Sequence, residues 1–364
     1  MQHEHLEQHL RNLIALDETE SPVLSVFLDL RSRDGLRTLR ERAAESRRVL
    51  TMDERAEFDE AWRAVEQFLD RQLAESTRSV ALFSRSGASP FFLPLEFEAE
   101  LPTRLFVEST PVIFHLVELK DNFHRYALII CNEDSACVLE VSLGSITQEL
   151  WAKRPELRNR VGREWTRRHY VNHRRDRGNR FIKEKIAVLE RIVRSGGHSH
   201  IMLAGNPLIA ARVRKALPRH LADILVDTIP ASARDRVEDV VEATLSSFVE
   251  QEERESQENV DLLRQELLRG GLAVAGVQES RQVLSEGRAD MLLLTADYTA
   301  EQMRVREHLL RLAESTGVQV EVVQQSDFLQ ELGGVGCLLR YKDFTSAATQ
   351  ATQPGKSREK SLAS

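Results

Sequence analysis

Apolar positions along the chain fall into short continuous runs that alternate with stripes at helical spacing. Leu6, Leu10, Leu13 and Leu16 form the first stripe and predict an amphipathic N-terminal helix. Val23–Leu30 (VLSVFLDL) reads as a strand, broken by Asp34-Gly35. A charged helical region in two pieces follows, from about Leu36 to Gln72. Ser79–Phe83 and Phe91–Phe97 read as further strands, and Arg104–Val107 and Val112–Leu119 as additional strand or helix entries. Lys120-Asp121-Asn122 is the expected boundary of this α/β unit.

The pattern restarts at Tyr126–Cys131 (YALIIC), turns at Asn132–Ser135 and returns through Ala136–Val141, which predicts a hairpin. Periodicity then lapses until Phe181. From there Ile182, Ile186, Leu189, Ile192 and Val193 predict a helix closed by Gly196-Gly197. His200–Ala204 reads as a buried strand, and Asn206 as the cap of a helix opening at Pro207. Asp223–Val226 is a short strand. A long helix from Ser232 to about Glu255 turns Val237, Val240, Val241, Leu245 and Phe248 inward, and helical character continues through Leu268.

Gly270-Gly271 opens a third unit. Strands are expected at Ala273–Gly276, Asp290–Thr295, Val318–Val323 and Cys337–Tyr341. Helices are expected at Gln278–Ser285, Glu301–Glu314 and Ser326–Leu332, with Gly287 and Gly317 as stops. This alternation implies a three-layer α/β/α sandwich. After Phe344 the Ser, Ala, Thr, Gln and Lys content predicts a disordered tail, 345–364. The expected division is an N-terminal α/β domain at 1–122, a middle domain at 123–257, a C-terminal domain at 258–344 and the tail.

Charge changes this picture at one place. Lys153–Lys185 holds thirteen Lys and Arg against four acids, a local +9 in a chain of net −7, so the remainder carries −16. An asymmetry of this size suits contact with a polyanion. Trp165, His169, Tyr170 and His173 lie among the arginines, and planar rings beside guanidinium groups suit base stacking with phosphate pairing. A charge run is more commonly a solvated surface, so the segment alone does not decide the matter.

Other chemistries find little support. The 364 residues contain no apolar run near the roughly 20 needed for a membrane span, and the start lacks an apolar signal core. Three cysteines, Cys131, Cys137 and Cys337, are expected as buried thiols in a cytoplasmic protein. No zinc signature occurs; His198-Ser-His200 reads as a loop, and the arginines around His169 and His173 would repel a metal cation. No G-x-S-x-G turn, Walker loop or G-x-G-x-x-G is present. Glu133-Asp134 reads as hairpin turn rather than nuclease ligands, and Asp29 as structural. No cofactor and no catalytic residue is expected.

The segment RGGLAVAGVQESRQVLSEGRADMLLLTADY, followed by GGVGCLLRY, resembles the C-terminal domain of the archaeal and eukaryotic class-1 release factors and Pelota. The middle unit is similar to theirs in element order: hairpin Tyr126–Val141, basic loop 153–180, helix Phe181–Ser195, strand Ile201–Gly205 ending in LAG, and long helix Ser232–Glu255. The SVFLD strand near the N-terminus is similar to that of divergent bacterial release-factor-like families. The resemblance implies three α/β domains arranged as in class-1 release factors. It also implies a ribosomal partner.

Departures from the family pattern bear on chemistry. The family's loop carries Gly-Gly-Gln. Here no glutamine occurs between Gln148 and Gln251, and the loop's glycines, Gly162 and Gly178, are apart. A codon-reading Asn-Ile-Lys-Ser motif and the small zinc insertion are also absent. The expectation is a ribosome-associated, catalytically silent protein in the A site. Arg163, Arg167, Arg168, Arg174, Arg175, Arg177 and Arg180 would contact ribosomal RNA phosphates, with Trp165, His169, Tyr170 and His173 beside them near P-site tRNA. The resemblance further implies that the C-terminal domain docks on the factor-binding stalk base or a translational GTPase, in ribosome rescue, stalling surveillance or hibernation. Three rivals are a peptidyl-tRNA hydrolase using His169 or His173, an RNA-binding protein unrelated to the ribosome, and an adaptor whose basic loop pairs with the acidic N-terminal unit.

Overall fold

The computed structural model describes residues 3–342 apart from 72, 123–124, 133–134, 144, 154–166, 197, 199 and 233; along 147–153 and 167–178 it describes the backbone alone. The chain forms three sheets within two compact units, residues 1–256 and 257–364. The expected tail lies outside the described residues.

The first sheet is wholly antiparallel. Its elements are α1 (His3–Ile14), β1 (Val23–Asp29), α2 (Gly35–Val49), α3 (Met52–Leu69), β2 (Ser79–Arg85), β3 (Phe91–Phe97), β4 (Arg104–Glu108) and α4 (Phe114–Asn122). Strand order is β3-β2-β1-β4. Leu24, Val26 and Leu28 face α2 and α3, packing on Leu39, Phe58 and Val65. Phe27 points the other way, edge-on to Phe83 at 5.9 Å and to His115 of α4 at 5.0 Å. The period-2 alternation of β1 therefore buries both faces, each large side chain contributing about 1.5–3 kcal/mol. The two-piece helix expected after Asp34 is present, split at Thr51, which forms a capping box with Glu54. Val112–Leu119 resolves into α4. As expected from the Leu stripe, Leu6, Leu10 and Leu13 are buried.

The second sheet comprises β5 (Tyr126–Cys131), β6 (Ser135–Ser142), β7 (Ser145–Lys153), β8 (His200–Gly205) and β9 (Leu225–Pro230), with α5 (Arg167–Gly196), α6 (Pro207–Ala216), α7 (Arg219–Ala222) and α8 (Val237–Leu268). Its order is β7-β6-β5-β8-β9. β5, β6 and β7 are antiparallel, whereas β8 runs parallel to both β5 and β9. One face packs Ala127, Ile129, Val138 and Leu203 against Ile182, Ile186, Leu189 and Ile192 of α5 and Val213 of α6. The other packs Tyr126, Leu128, Leu139 and Met202 against Val240, Val241 and Phe248 of α8.

The sequence expectation differs from the structure at three points here. The predicted hairpin is a three-stranded meander, because β7 pairs along β6 at the sheet edge. The strand expected at Asp223–Val226 lies at Leu225–Pro230. Most consequentially, 167–180 is not loop: α5 begins at Arg167 and runs 30 residues. The sequence of its first turns has no apolar stripe and so carries no periodic signal. Helix propagates cheaply from the packed C-terminal half through arginine, a good helix former.

The third sheet uses β10 (Ala273–Ala275), α9 (Val277–Ser285), β11 (Ala289–Thr295), α10 (Ala300–Thr316), β12 (Gln319–Val323), α11 (Asp327–Glu331) and β13 (Val335–Leu339), in the order β10-β13-β11-β12. Leu293 and Val323 meet Val260 and Leu263 of α8 and Leu329 of α11. Leu292, Leu294 and Val322 alternate to the opposite side and are buried as well. The expected α/β alternation is present, and Gly317 caps α10 in the left-handed region at φ +66°. All three cysteines are free and buried. Burial pushes the Cys131 and Cys337 thiols up to about 12, which makes them packing groups, not nucleophiles.

β8 ends where no side chain fits. Gly205 has φ +138°, and a Cβ there would lie 1.9 Å from the Cys131 carbonyl oxygen. That carbonyl accepts from Asn206 N–H at 3.1 Å, while Gly205 O accepts from Ala231 N–H at 3.0 Å. Gly205→Ala is expected to cost about 2–4 kcal/mol of stability, read from urea denaturation midpoints.

Candidate nucleic-acid interface

Chain direction decides where the basic segment begins. β5 and β8 run parallel, and β6 and β7 each reverse, so β7 ends at the carboxyl end of β5 and β8. α5 must return the chain to the amino end of β8, and it finishes only a few residues before His200. The basic segment therefore leaves β7 at the edge where open α/β sheets bind ligands, beyond the carboxyl ends of their parallel strands. Asn206 sits at the same edge and caps α6, its side chain accepting from Leu208 N–H at 3.0 Å. This is the cap expected from the sequence.

The sequence-derived site residues divide into three groups. Arg163 and Trp165 lie outside the described residues. Arg167, Arg168, His169, Tyr170, His173, Arg174, Arg175 and Arg177 lie on the backbone of α5, in its first three turns. Arg180 is exposed on the same helix. A rigid helix spaces these cations at about 1.5 Å per residue, unlike the extended loop that the sequence suggested.

Packing adds residues that the linear charge run missed. Arg212 of α6 donates from its guanidinium to Asn179 Oδ1 of α5 at 3.0 Å. Arg212, Arg214 and Lys215 of α6 and Arg180, Lys183 and Arg191 of α5 are all exposed, with Glu184 exposed among the latter. The outer layer of the sheet is thus cationic over two helices. Among its acids, Glu190 is held by Arg194 at 2.7 Å. The opposite layer has the reverse sign. Val237–Ser256 of α8 carries Glu238, Asp239, Glu242, Glu250, Glu252, Glu253 and Glu255 with Arg254 as its sole cation. A sheet with a basic layer on one face and an acidic layer on the other presents one side to a polyanion and repels it from the other. The signal for Arg212, Arg214 and Lys215 was available in the sequence as a basic amphipathic turn. It could not be joined to α5 without the fold.

The amino end of β8 holds a second polar cluster. His198 is buried, with Nε2 at 3.6 Å from Glu140 Oε1, and Arg125 Nη1 is 3.7 Å from the same oxygen. Burial lowers the His198 pKa, outweighing the pull of Glu140; Arg125 lowers it further. His200 is the first residue of β8, as expected from the strand reading of His200–Ala204, so only the loop reading of the His198–His200 pair fails at this residue.

Comparisons with known proteins bear on this middle sheet and on the C-terminal one. Residues 111–248 match the model of a family described as bacterial archaeo-eukaryotic release factor family 10. Residues 253–343 match the model of eRF1 domain 3. Among solved structures, the chain is similar to an archaeal translation termination factor, aRF1, at 17% identity over 94% of this chain and 99% of that one, with a TM-score of 0.28. It is similar to Saccharomyces cerevisiae Dom34, described as a translation termination-like factor, at 14% identity over 72% and 79%, TM-score 0.44. For Archaeoglobus fulgidus Pelota the values are 17%, 72%, 80% and 0.36. Superpositions this loose carry no argument about function. A stretch of 100 residues is 34% identical to Rab GTPase-binding effector protein 2 of Bos taurus, covering 27% of this chain and 17% of that protein, too little of its length to transfer any activity.

The depressed pKa of His198 has a stability consequence. The unfolded chain takes up a proton near pH 6.5 while the native imidazole resists it, so stability is full above that pH and falls as pH drops through the window below it. Denaturation midpoints between about pH 7.5 and 5 should fall with acidification, and less steeply in His198→Gln.

Proposed function

We propose that this chain is a divergent eRF1/Pelota-like, ribosome-associated translation factor that grips ribosomal RNA through its middle domain, a reading supported by the family matches over residues 111–248 and 253–343. In this reading the chain is divided into three domains, 1–122, 123–257 and 258–344. The observation that carries the reading is the cationic layer of α5 and α6 in the region that matches a release factor family, joined by the Arg212–Asn179 contact.

In this reading the middle domain enters the A site. Arg163, Arg167, Arg168, Arg174, Arg175, Arg177 and Arg180 pair with phosphates, and Trp165, His169 and Tyr170 stack on bases, with His173 alongside. Arg212, Arg214 and Lys215 extend the phosphate contacts. The segment lacks Gly-Gly-Gln, so it binds without that tripeptide's peptide-release chemistry. The C-terminal domain docks near the factor-binding stalk base or on a translational GTPase. The biological role is rescue, stalling surveillance or hibernation in the cytoplasm. No helix among the described residues is long and apolar enough to cross a membrane.

Ribosome pelleting across a salt series tests the reading. Binding through phosphates weakens steeply as salt rises. The double variant Arg180→Glu, Arg212→Glu changes two exposed side chains. It is expected to weaken ribosome binding about tenfold or more, with thermal stability lowered only by the loss of the exposed Arg212–Asn179 hydrogen bond. Failure to pellet with ribosomes at low salt, or unchanged binding by the variant, would sink the proposal. A peptide-release assay on loaded ribosomes should read zero; release lost on changing His169 or His173 would make the protein a hydrolase instead.

A further inference from the structure

His200 stands between two carboxylates of α8. Its Nδ1 is 3.9 Å from Glu252 Oε1 and its Nε2 is 3.5 Å from Glu255 Oε1. One ligand atom from each of the three residues can be chosen so that all lie within 4.8 Å of one another. Glu252 and Glu255 are three residues apart on one helix and so share a face. His200 comes from a different element, more than fifty positions earlier in the chain.

The imidazole is held in place by an aromatic column. His200 meets Phe248 at 5.3 Å with the planes 80° apart, and Phe248 stacks on Tyr126 at 4.9 Å. Tyr126 is anchored in turn, its hydroxyl sharing a hydrogen bond with Thr244 Oγ1 at 3.0 Å. His200 and Glu252 are 15% and 13% exposed, whereas Glu255 is 40% exposed and leaves the cluster open to solvent on its side.

The separations are longer than the roughly 3.2 Å reach of a good N–H···O hydrogen bond. The 3.5 Å between His200 Nε2 and Glu255 Oε1 is close to the about 3.3 Å that separates ligand atoms bonded at about 2.0–2.2 Å to one tetrahedral ion, and an oxygen of Glu252 completes a set within 4.8 Å. One imidazole nitrogen and two carboxylates suit a borderline divalent ion such as zinc. The local field favours a cation too, since Glu250 and Glu253 flank the pair on α8. We propose that His200, Glu252 and Glu255 form a divalent-metal site of the zinc type. Nε2 and one oxygen from each glutamate serve as protein ligands, and water fills the remaining positions. The bound ion ties the start of β8 to α8 and stabilises the fold by mass action.

The test uses the full chain after chelator treatment, titrated with Zn²⁺ alone and, separately, with Co²⁺ followed by visible absorption. One equivalent of Zn²⁺ is expected to raise the unfolding temperature, and Co²⁺ to give the bands of a low-coordinate site. Glu255→Gln, read against its own metal-free unfolding temperature, should lose most of the Zn²⁺-induced rise and weaken Zn²⁺ binding about tenfold or more. His200→Gln should abolish the cobalt bands. No saturable binding at micromolar metal, or parental binding by both variants, would show that the cluster is only a histidine–carboxylate ion pair or that ions bind elsewhere.

Discussion

The parallel pairing of β5 with β8 is the constraint on which the middle of this protein depends. β5 is buried along its whole length, and β8 along all but its first residue, so their backbone polar groups have only the ladder to satisfy them. A parallel neighbour cannot be reached by a tight turn, so the chain must cross over by a long connection. That connection contains the basic segment and α5. Because both faces of the pair are apolar, both need a helical cover. α5 and α6 supply one, α8 the other.

The charge layout follows from this pairing. Each covering helix needs only one apolar stripe, and its outer side is free to carry charge. α5 and α6 carry cations there, α8 carries acids, and the sheet keeps the two layers apart. Without that separation the arginines would be partnered by the glutamates of α8 and would have little field left for a polyanion. The Arg212–Asn179 contact joins the two basic helices at one point.

β8 also links the two polar regions of the domain. Its carboxyl end, at Gly205, lies against the Cys131 carbonyl and launches the capped helix α6 toward the basic layer. Its amino end presents His200 to Glu252 and Glu255, two residues after the buried His198. Six residues of strand thus fix the position of both the edge from which the basic segment departs and the His200–Glu252–Glu255 cluster. The aromatic column of Tyr126, Phe248 and His200 joins the second of these to the core.

Much of the architecture was legible in local pattern. The strand β1, the split between α2 and α3, the Asn206 cap and the Gly317 stop were each written in a few adjacent residues, because period, capping and left-handed glycine are local physics. The local excess of arginine was equally plain. What the sequence could not show was anything set by burial between distant segments. The first half of α5 has no apolar stripe in its sequence, so its helix was invisible to periodicity. β7 took its place by pairing along an edge. Arg212 joined α5, and two glutamates of α8 met His200, only because the sheet brought their helices together. The chain by itself therefore determined which elements form and that a strong positive segment exists. The tertiary structure alone decided which charges face one another, since that depends on packing contacts many residues apart.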